Sequence, residues 1–212
     1  MRERTRAARA RGTGALRPRA ANGGDGASAA ARATRAAARA RPAPIRGAVR
    51  ILFLDVDGTL TDGVIGFARD LDYRNFYVRD GLALDWARDL GLLPVVISGR
   101  ASVAVASRMA DLKLEHYLGI RDKVAEAQKV LAREGVGFGE CAMVGDDLPD
   151  VALLKRVGWP IAVADAVPEV RRIARTVTRA LAGRGAVREV VEMLLRHNRT
   201  WPRVLERYEA AE

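Results

Sequence analysis

Cysteine is all but missing from this chain of 212 residues, where Cys141 stands alone. No disulfide can form within the chain, which fits a reducing compartment, and a cytoplasmic protein is expected. Long apolar runs are missing too. No eighteen consecutive apolar residues occur, so no membrane-spanning helix is expected, and the first residues lack the continuous apolar segment of a secretory signal. Histidine is confined to His116 and His197, which share no partner and are read as structural. No internal repeat is visible. The chain is 49% hydrophobic, enough for one α/β domain with its own core.

Acidic residues are scarce in one region only. The net charge of +10 looks like a nucleic-acid signal until it is divided by position. Residues 1–50 carry 13 arginines against Glu3 and Asp25, a net of +11, whereas the remaining 23 basic and 24 acidic residues leave −1. Residues 1–47 have almost no large apolar side chain, cannot bury a core, and are expected to form a disordered Arg/Ala-rich tail. Their composition is like that of a transit peptide, or of an arm touching nucleic acid non-specifically. The preferred reading is a plain appendage or an upstream start codon wrongly chosen, so nucleic acid is not an expected partner of the domain. Residues 48–198 form that domain, and 199–212 are a C-terminal extension, either a terminal helix or a segment docking on a partner subunit.

What is present is organised around Ile51-Leu52-Phe53-Leu54 and the residues that follow, Asp55-Val56-Asp57-Gly58-Thr59. Four apolar residues in a row read as a strand buried on both faces of a parallel sheet. Side chains alternate along it, so Asp55 and Asp57 converge at its carboxyl end, where open parallel sheets bind ligands. Two converging carboxylates repel unless a cation or proton separates them. Oxygen-only ligation points to Mg²⁺ shared with a phosphate. One carboxylate can then attack phosphorus, and the other can give a proton to the leaving oxygen and take one from water. Taken alone, Asp-x-Asp-Gly is also ordinary turn chemistry.

The pattern repeats downstream. Val64–Phe67 and Asn75–Val78 read as two short strands joined by the polar turn 69–72, a hairpin flap over the site. A helix follows from Gly81 to near Gly91. Pro94–Ile97 reads as a second buried strand ending in Ser98-Gly99, a hydroxyl and free N–H groups that suit phosphate, with a helix from about Ala101. Glu115–Gly119 is a third strand, and Asp122 caps the next helix. Lys123 sits in the first turn, where a cation opposes the helix dipole unless it is aimed at phosphate. A fourth strand, Cys141–Val144, ends in Asp146, Asp147 and Asp150. Asp146 completes the Mg²⁺ shell, Asp147 supports it, and Asp150 orients Asp146 or a metal-bound water. A fifth strand near Trp159–Val163, a helix at 168–173, a strand at 176–178, a flexible loop at 182–186 and a helix at 187–195 complete the chain.

The ordered set Asp55-Val-Asp-Gly-Thr, Ser98-Gly-Arg, Lys123 and Gly145-Asp-Asp-x-x-Asp resembles the haloacid dehalogenase-like superfamily. Leu60–Gly63, Val78-Arg79-Asp80-Gly81, Ile97–Arg100, Ala162–Ala166 and Gly183–Glu189 narrow the resemblance to its capless sugar-acid phosphatases, typified by those for 3-deoxy-D-manno-octulosonate 8-phosphate. The resemblance covers residues 50 to about 197. It implies a three-layer Rossmann-like α/β fold with a parallel sheet, a β-hairpin flap and no large cap domain. It also implies an Mg²⁺-dependent phosphatase of lipopolysaccharide biosynthesis, with Asp55 as nucleophile and Asp57 as acid/base and metal ligand through its carbonyl. Asp146 would be the remaining metal ligand, and Ser98, Gly99 and Lys123 the phosphate holders. Arg79, Asp80, Gly81, Arg100 and Arg108 would contact substrate, in a homotetramer whose flaps and Gly-rich loops close the sites.

Three features depart from that pattern: Ala83 adds a methyl near the substrate, Ala182 stands where a glycine is usual, and the Arg-rich tail has no counterpart. The alternatives are a phosphatase for N-acylneuraminate 9-phosphate or another small phosphometabolite, or a non-catalytic binding module on the same fold.

Overall fold

The computed structural model describes residue 45, residues 47–68 and residues 71–210. The expected tail falls outside them apart from residues 45 and 47. In chain order the strands are β1 (Ile51–Leu54), β2 (Gly66–Ala68), β3 (Leu71–Tyr73), β4 (Leu93–Ser98), β5 (Glu115–Leu118), β6 (Cys141–Gly145), β7 (Trp159–Ala162) and β8 (Thr176–Val177). The helices are α1 (Val78–Asp89), α2 (Val103–Asp111), α3 (Lys123–Glu134), α4 (Val151–Leu154), α5 (Pro168–Ile173), α6 (Ala186–His197) and α7 (Trp201–Arg207).

All four residues of β1 are buried, as a strand covered on both faces requires. It lies mid-sheet and pairs in parallel with β4 and β6, with Leu54 opposite Val96 and Val144. The order β5-β4-β1-β6-β7-β8 is parallel throughout. Helices cover both faces. α1 packs on α6, and α6 on α7, while α3, α4 and α5 form the opposite layer. α6 shows why such helices form: Val187, Val190, Val191, Leu194 and Leu195 fall on one stripe and are buried. Asp122 caps α3 by accepting from the Val124 and Ala125 N–H groups, and Gly135 ends it in the left-handed region at φ 62°. These features agree with the expected three-layer architecture.

The flap is a hairpin, but its second strand comes earlier than expected. Gly66 pairs with Tyr73 and Phe67 with Asp72. The missing β-carbon of Gly66 leaves room for the Tyr73 ring to lie across it, and this contact fixes the register. Residues 75–78 therefore form no second strand: Phe76 makes one isolated bridge to Thr61, and Val78 opens α1. That helix starts three residues before Gly81. Likewise α2 begins at Val103, because Ser102 caps it through the Val105 N–H. Residues 69 and 70 of the expected turn lie outside the described residues.

The C-terminal extension settles on its own chain. Trp201 meets the Trp86 indole edge-on with centroids 5.9 Å apart, and Trp86 Nε1 donates to the Tyr208 hydroxyl at 3.1 Å. The guanidinium of Arg188 stacks 4.1 Å from the Trp86 ring centre. Just ahead of that extension, Val49 and Asn198 exchange two hydrogen bonds of 2.8 Å. His197 faces the Gly47 carbonyl at 2.9 Å and His116 that of Leu114 at 3.0 Å, which suits the structural reading of both. Among the described residues no helix is long and apolar enough to cross a membrane.

Candidate active site

The exits of the neighbouring strands β1 and β6 bring Asp55 and Asp146 together. Two glycines make the approach possible. Gly58 turns the chain after β1 at φ 89°, and a β-carbon there would collide with the Asp146 carboxylate. A β-carbon on Gly145 would collide with that of Asp150. Thr59 Oγ1 donates to Asp146 Oδ1 at 3.2 Å, and Asp150 Oδ2 accepts from the Asp146 N–H at 3.0 Å. Asp150 thus holds the Asp146 backbone from one turn further on.

Lys123 reaches in from the first turn of α3. It is 4% exposed, and its Nζ donates to Asp55 Oδ1 at 2.5 Å and Asp150 Oδ1 at 2.7 Å. Burial alone would lower its pKa, but the two carboxylates hold it above the usual lysine value. Its awkward place at a helix start is explained by these partners.

Carboxylate oxygens of Asp55, Asp146 and Asp150 lie within 4.8 Å of one another. Burial pushes the Asp55 carboxyl up to about 6, with Lys123 pulling the other way. Burial, and then the charges of Asp55 and Asp150, push Asp146 up to about 7. Oxygen donors packed this closely, two of them holding their protons above the ordinary carboxylate range, fit a hard divalent cation. The Asp57 side chain is not in that cluster.

A crevice of about 540 Å³ opens over these groups, lined by Asp55, Asp57, Ser98, Gly99, Arg100, Lys123, Asp146, Asp147, Pro149 and Asp150. Ser98 is buried at the end of β4, and its Oγ accepts from the Arg100 N–H at 3.3 Å. Of the five residues expected at the substrate, only Arg100 lines the crevice. Its Nε lies 3.5 Å from Asp57 Oδ2. Arg79 is exposed on α1. Asp80 is 1% exposed and turned to α6, where it accepts from the Arg188 N–H at 2.7 Å, and burial raises its pKa to about 6. Gly81 abuts Arg108, whose Nη2 would sit 2.8 Å from an added β-carbon. Ala83 is wholly buried, and Ala182 donates to Asp165 Oδ1 at 3.0 Å.

Sequence reasoning overlooked Arg74. Its side chain has no exposure and forks onto Asp57, with Nε on Oδ1 and Nη2 3.5 Å from Oδ2. No local signal marks it, because its partner on the crevice, Asp57, comes from a distant segment.

Residues 118–190 match the family of haloacid dehalogenase-like hydrolases. The 3-deoxy-D-manno-octulosonate 8-phosphate phosphatase of Escherichia coli K12 is 39% identical over 149 residues, covering 69% of this chain and 79% of that protein. The crystal structure of the corresponding phosphatase from Moraxella catarrhalis, in complex with a magnesium ion, a phosphate ion and a KDO molecule, superposes with a TM-score of 0.73. That pair is 30% identical, over 76% of this chain and 93% of the other. A probable YrbI family phosphatase from Pseudomonas syringae gives a TM-score of 0.74 at 35% identity, over 78% and 95%.

Proposed function

The chain belongs to the haloacid dehalogenase-like hydrolases, within the 3-deoxy-D-manno-octulosonate 8-phosphate phosphatase branch, and from that premise we propose that its substrate is 3-deoxy-D-manno-octulosonate 8-phosphate itself. It is a phosphoric monoester hydrolase. The substrate assignment draws on the relatives' activity. The observation that carries the chemistry is the Lys123 ammonium wedged between Asp55 and Asp150 beside Asp146. A phosphatase for another phosphorylated sugar acid is the second reading, because Arg100 is the only expected substrate contact on the crevice.

Asp55 and Asp146, with the Asp57 carbonyl by family resemblance, would hold Mg²⁺. When bound, that ion supplies positive charge against the phosphoryl oxygens and keeps the carboxylates ionised. Lys123 holds Asp55 in place and adds its own charge, and Ser98 Oγ and the Gly99 N–H seat the phosphate. An Asp55 oxygen attacks phosphorus, the bond from phosphorus to the sugar oxygen breaks, and Asp57 gives that oxygen its proton. Water then attacks the phosphorus of the aspartyl-phosphate and yields a proton to Asp57. The bond to Asp55 breaks, inorganic phosphate leaves, and both residues are restored.

A homotetramer working in the cytoplasm completes the proposal. Val64, Phe67, Tyr73 and Val78 stand exposed on and beside the flap, an apolar edge suited to cover by a second copy. The test is hydrolysis of a panel of phosphorylated eight- and nine-carbon sugar acids, with and without Mg²⁺, alongside light scattering for mass. Strong preference for the eight-carbon acid and dependence on Mg²⁺ are expected. Equal turnover across the panel would leave only the broader phosphatase assignment.

A further inference from the structure

Arg74 has a fully buried guanidinium at the foot of the flap, where only paired cations persist. Its Nη1 donates to Asp72 Oδ2 at 2.5 Å and to Ser102 Oγ at 2.9 Å, while Ser102 Oγ donates to Asp72 Oδ1 at 3.2 Å. Ser102 is itself fixed, because it caps α2 through the Val105 N–H at 3.3 Å. Neither Asp72 nor Ser102 lines the crevice. The other edge of the guanidinium takes both oxygens of Asp57. A fork of this kind fixes the rotation of a carboxylate, which the point charge of a lysine does not.

We propose that Arg74, held by Asp72 and Ser102, is a positioning residue for Asp57. It anchors the acid/base carboxyl to the rigid start of α2 and turns it away from Asp55 and Asp146, towards the leaving oxygen. This rests on the phosphatase reading of the site. Proton transfer requires the donor within hydrogen-bond reach of the departing atom, so a carboxyl free to rotate loses much of its effect. The loss falls on esters whose leaving alkoxide needs a proton. It spares nitrophenolate, a weak base that departs unprotonated.

The experiment measures kcat and kcat/KM of the full chain for the sugar-acid phosphate that the wild type cleaves fastest and for p-nitrophenyl phosphate. The variants are Arg74→Met and the nearly isosteric Asp72→Asn, which decides the matter if the first does not fold. Because kcat/KM reports steps only through leaving-group departure, the aryl value is insensitive to later hydrolysis of the aspartyl-phosphate. Arg74→Met should lower kcat for the sugar ester about a hundredfold, and its kcat/KM at least about tenfold more than that for the aryl ester. Asp72→Asn should show the same preference, less strongly. Parallel losses on both esters, a rise in KM alone, or no change would each overturn the proposal. A wild type that cleaves neither ester would instead overturn the phosphatase reading first.

Discussion

Asp146 lies so close against Gly58 that the turn after β1 has no room for a β-carbon. Gly58→Ala should cost about 1–2 kcal/mol through its left-handed backbone alone, and should also displace Asp146 and lower activity. Gly135→Ala is the control. It also sits at positive φ, 62°, but has nothing within 4 Å of the added carbon, so it should cost only the backbone part and keep full activity. Denaturant unfolding and initial rates check both.

Asp55→Asn should abolish turnover, by about a thousandfold or more, and leave the fold intact. Asparagine keeps the shape beside Lys123 but cannot form the aspartyl-phosphate. Activity above a few per cent of wild type, with circular dichroism unchanged, would oppose the nucleophile assignment.

Lys123→Met should destabilise strongly. It removes the shared cation of Asp55 and Asp150 and leaves two buried carboxylates unpaired, at about 3–5 kcal/mol. Mild acid should restore part of that loss by protonating Asp55. A melting temperature independent of pH in the variant would contradict this account.

Magnesium should stabilise the protein more as pH rises. Asp55 and Asp146 have folded pKa values of about 6 and about 7, raised above the ordinary 3.8. Their contribution to stability without metal is therefore fully present below about pH 4 and is lost as pH climbs through 6 to 7. A cation competes with those protons. The shift in Tm on adding millimolar Mg²⁺ should be small near pH 5 and large near pH 8. The difference between the two titrations isolates this effect from Asp72 and Glu115, whose lowered pKa values act in the opposite sense.

The two acidic strand exits were legible because each follows an apolar run that can only be a buried strand, and alternation dictates where the next side chains point. Asp122 as a cap and Asp150 as an orienting group were legible for the same local reason. The hairpin register was not. It depends on Tyr73 lying over Gly66, a contact that propensity does not encode, and the β-rich run 75–78 misled the reading. Arg74 stayed hidden because its meaning comes from Asp57 and Ser102, 17 and 28 residues away. Asp80 shows the converse: motif position pointed to the substrate, while in the single chain its carboxylate faces the start of α6.

The reciprocal bonds of Val49 and Asn198 fasten the segment entering β1 to the end of α6, at the amino ends of the strands. The groups that line the crevice, Asp55, Ser98 and Asp146 among them, stand at the strands' carboxyl ends. A bead or a fused carrier coupled near residue 47 would therefore meet the molecule at its blind pole, leaving the mouth of the crevice facing solution.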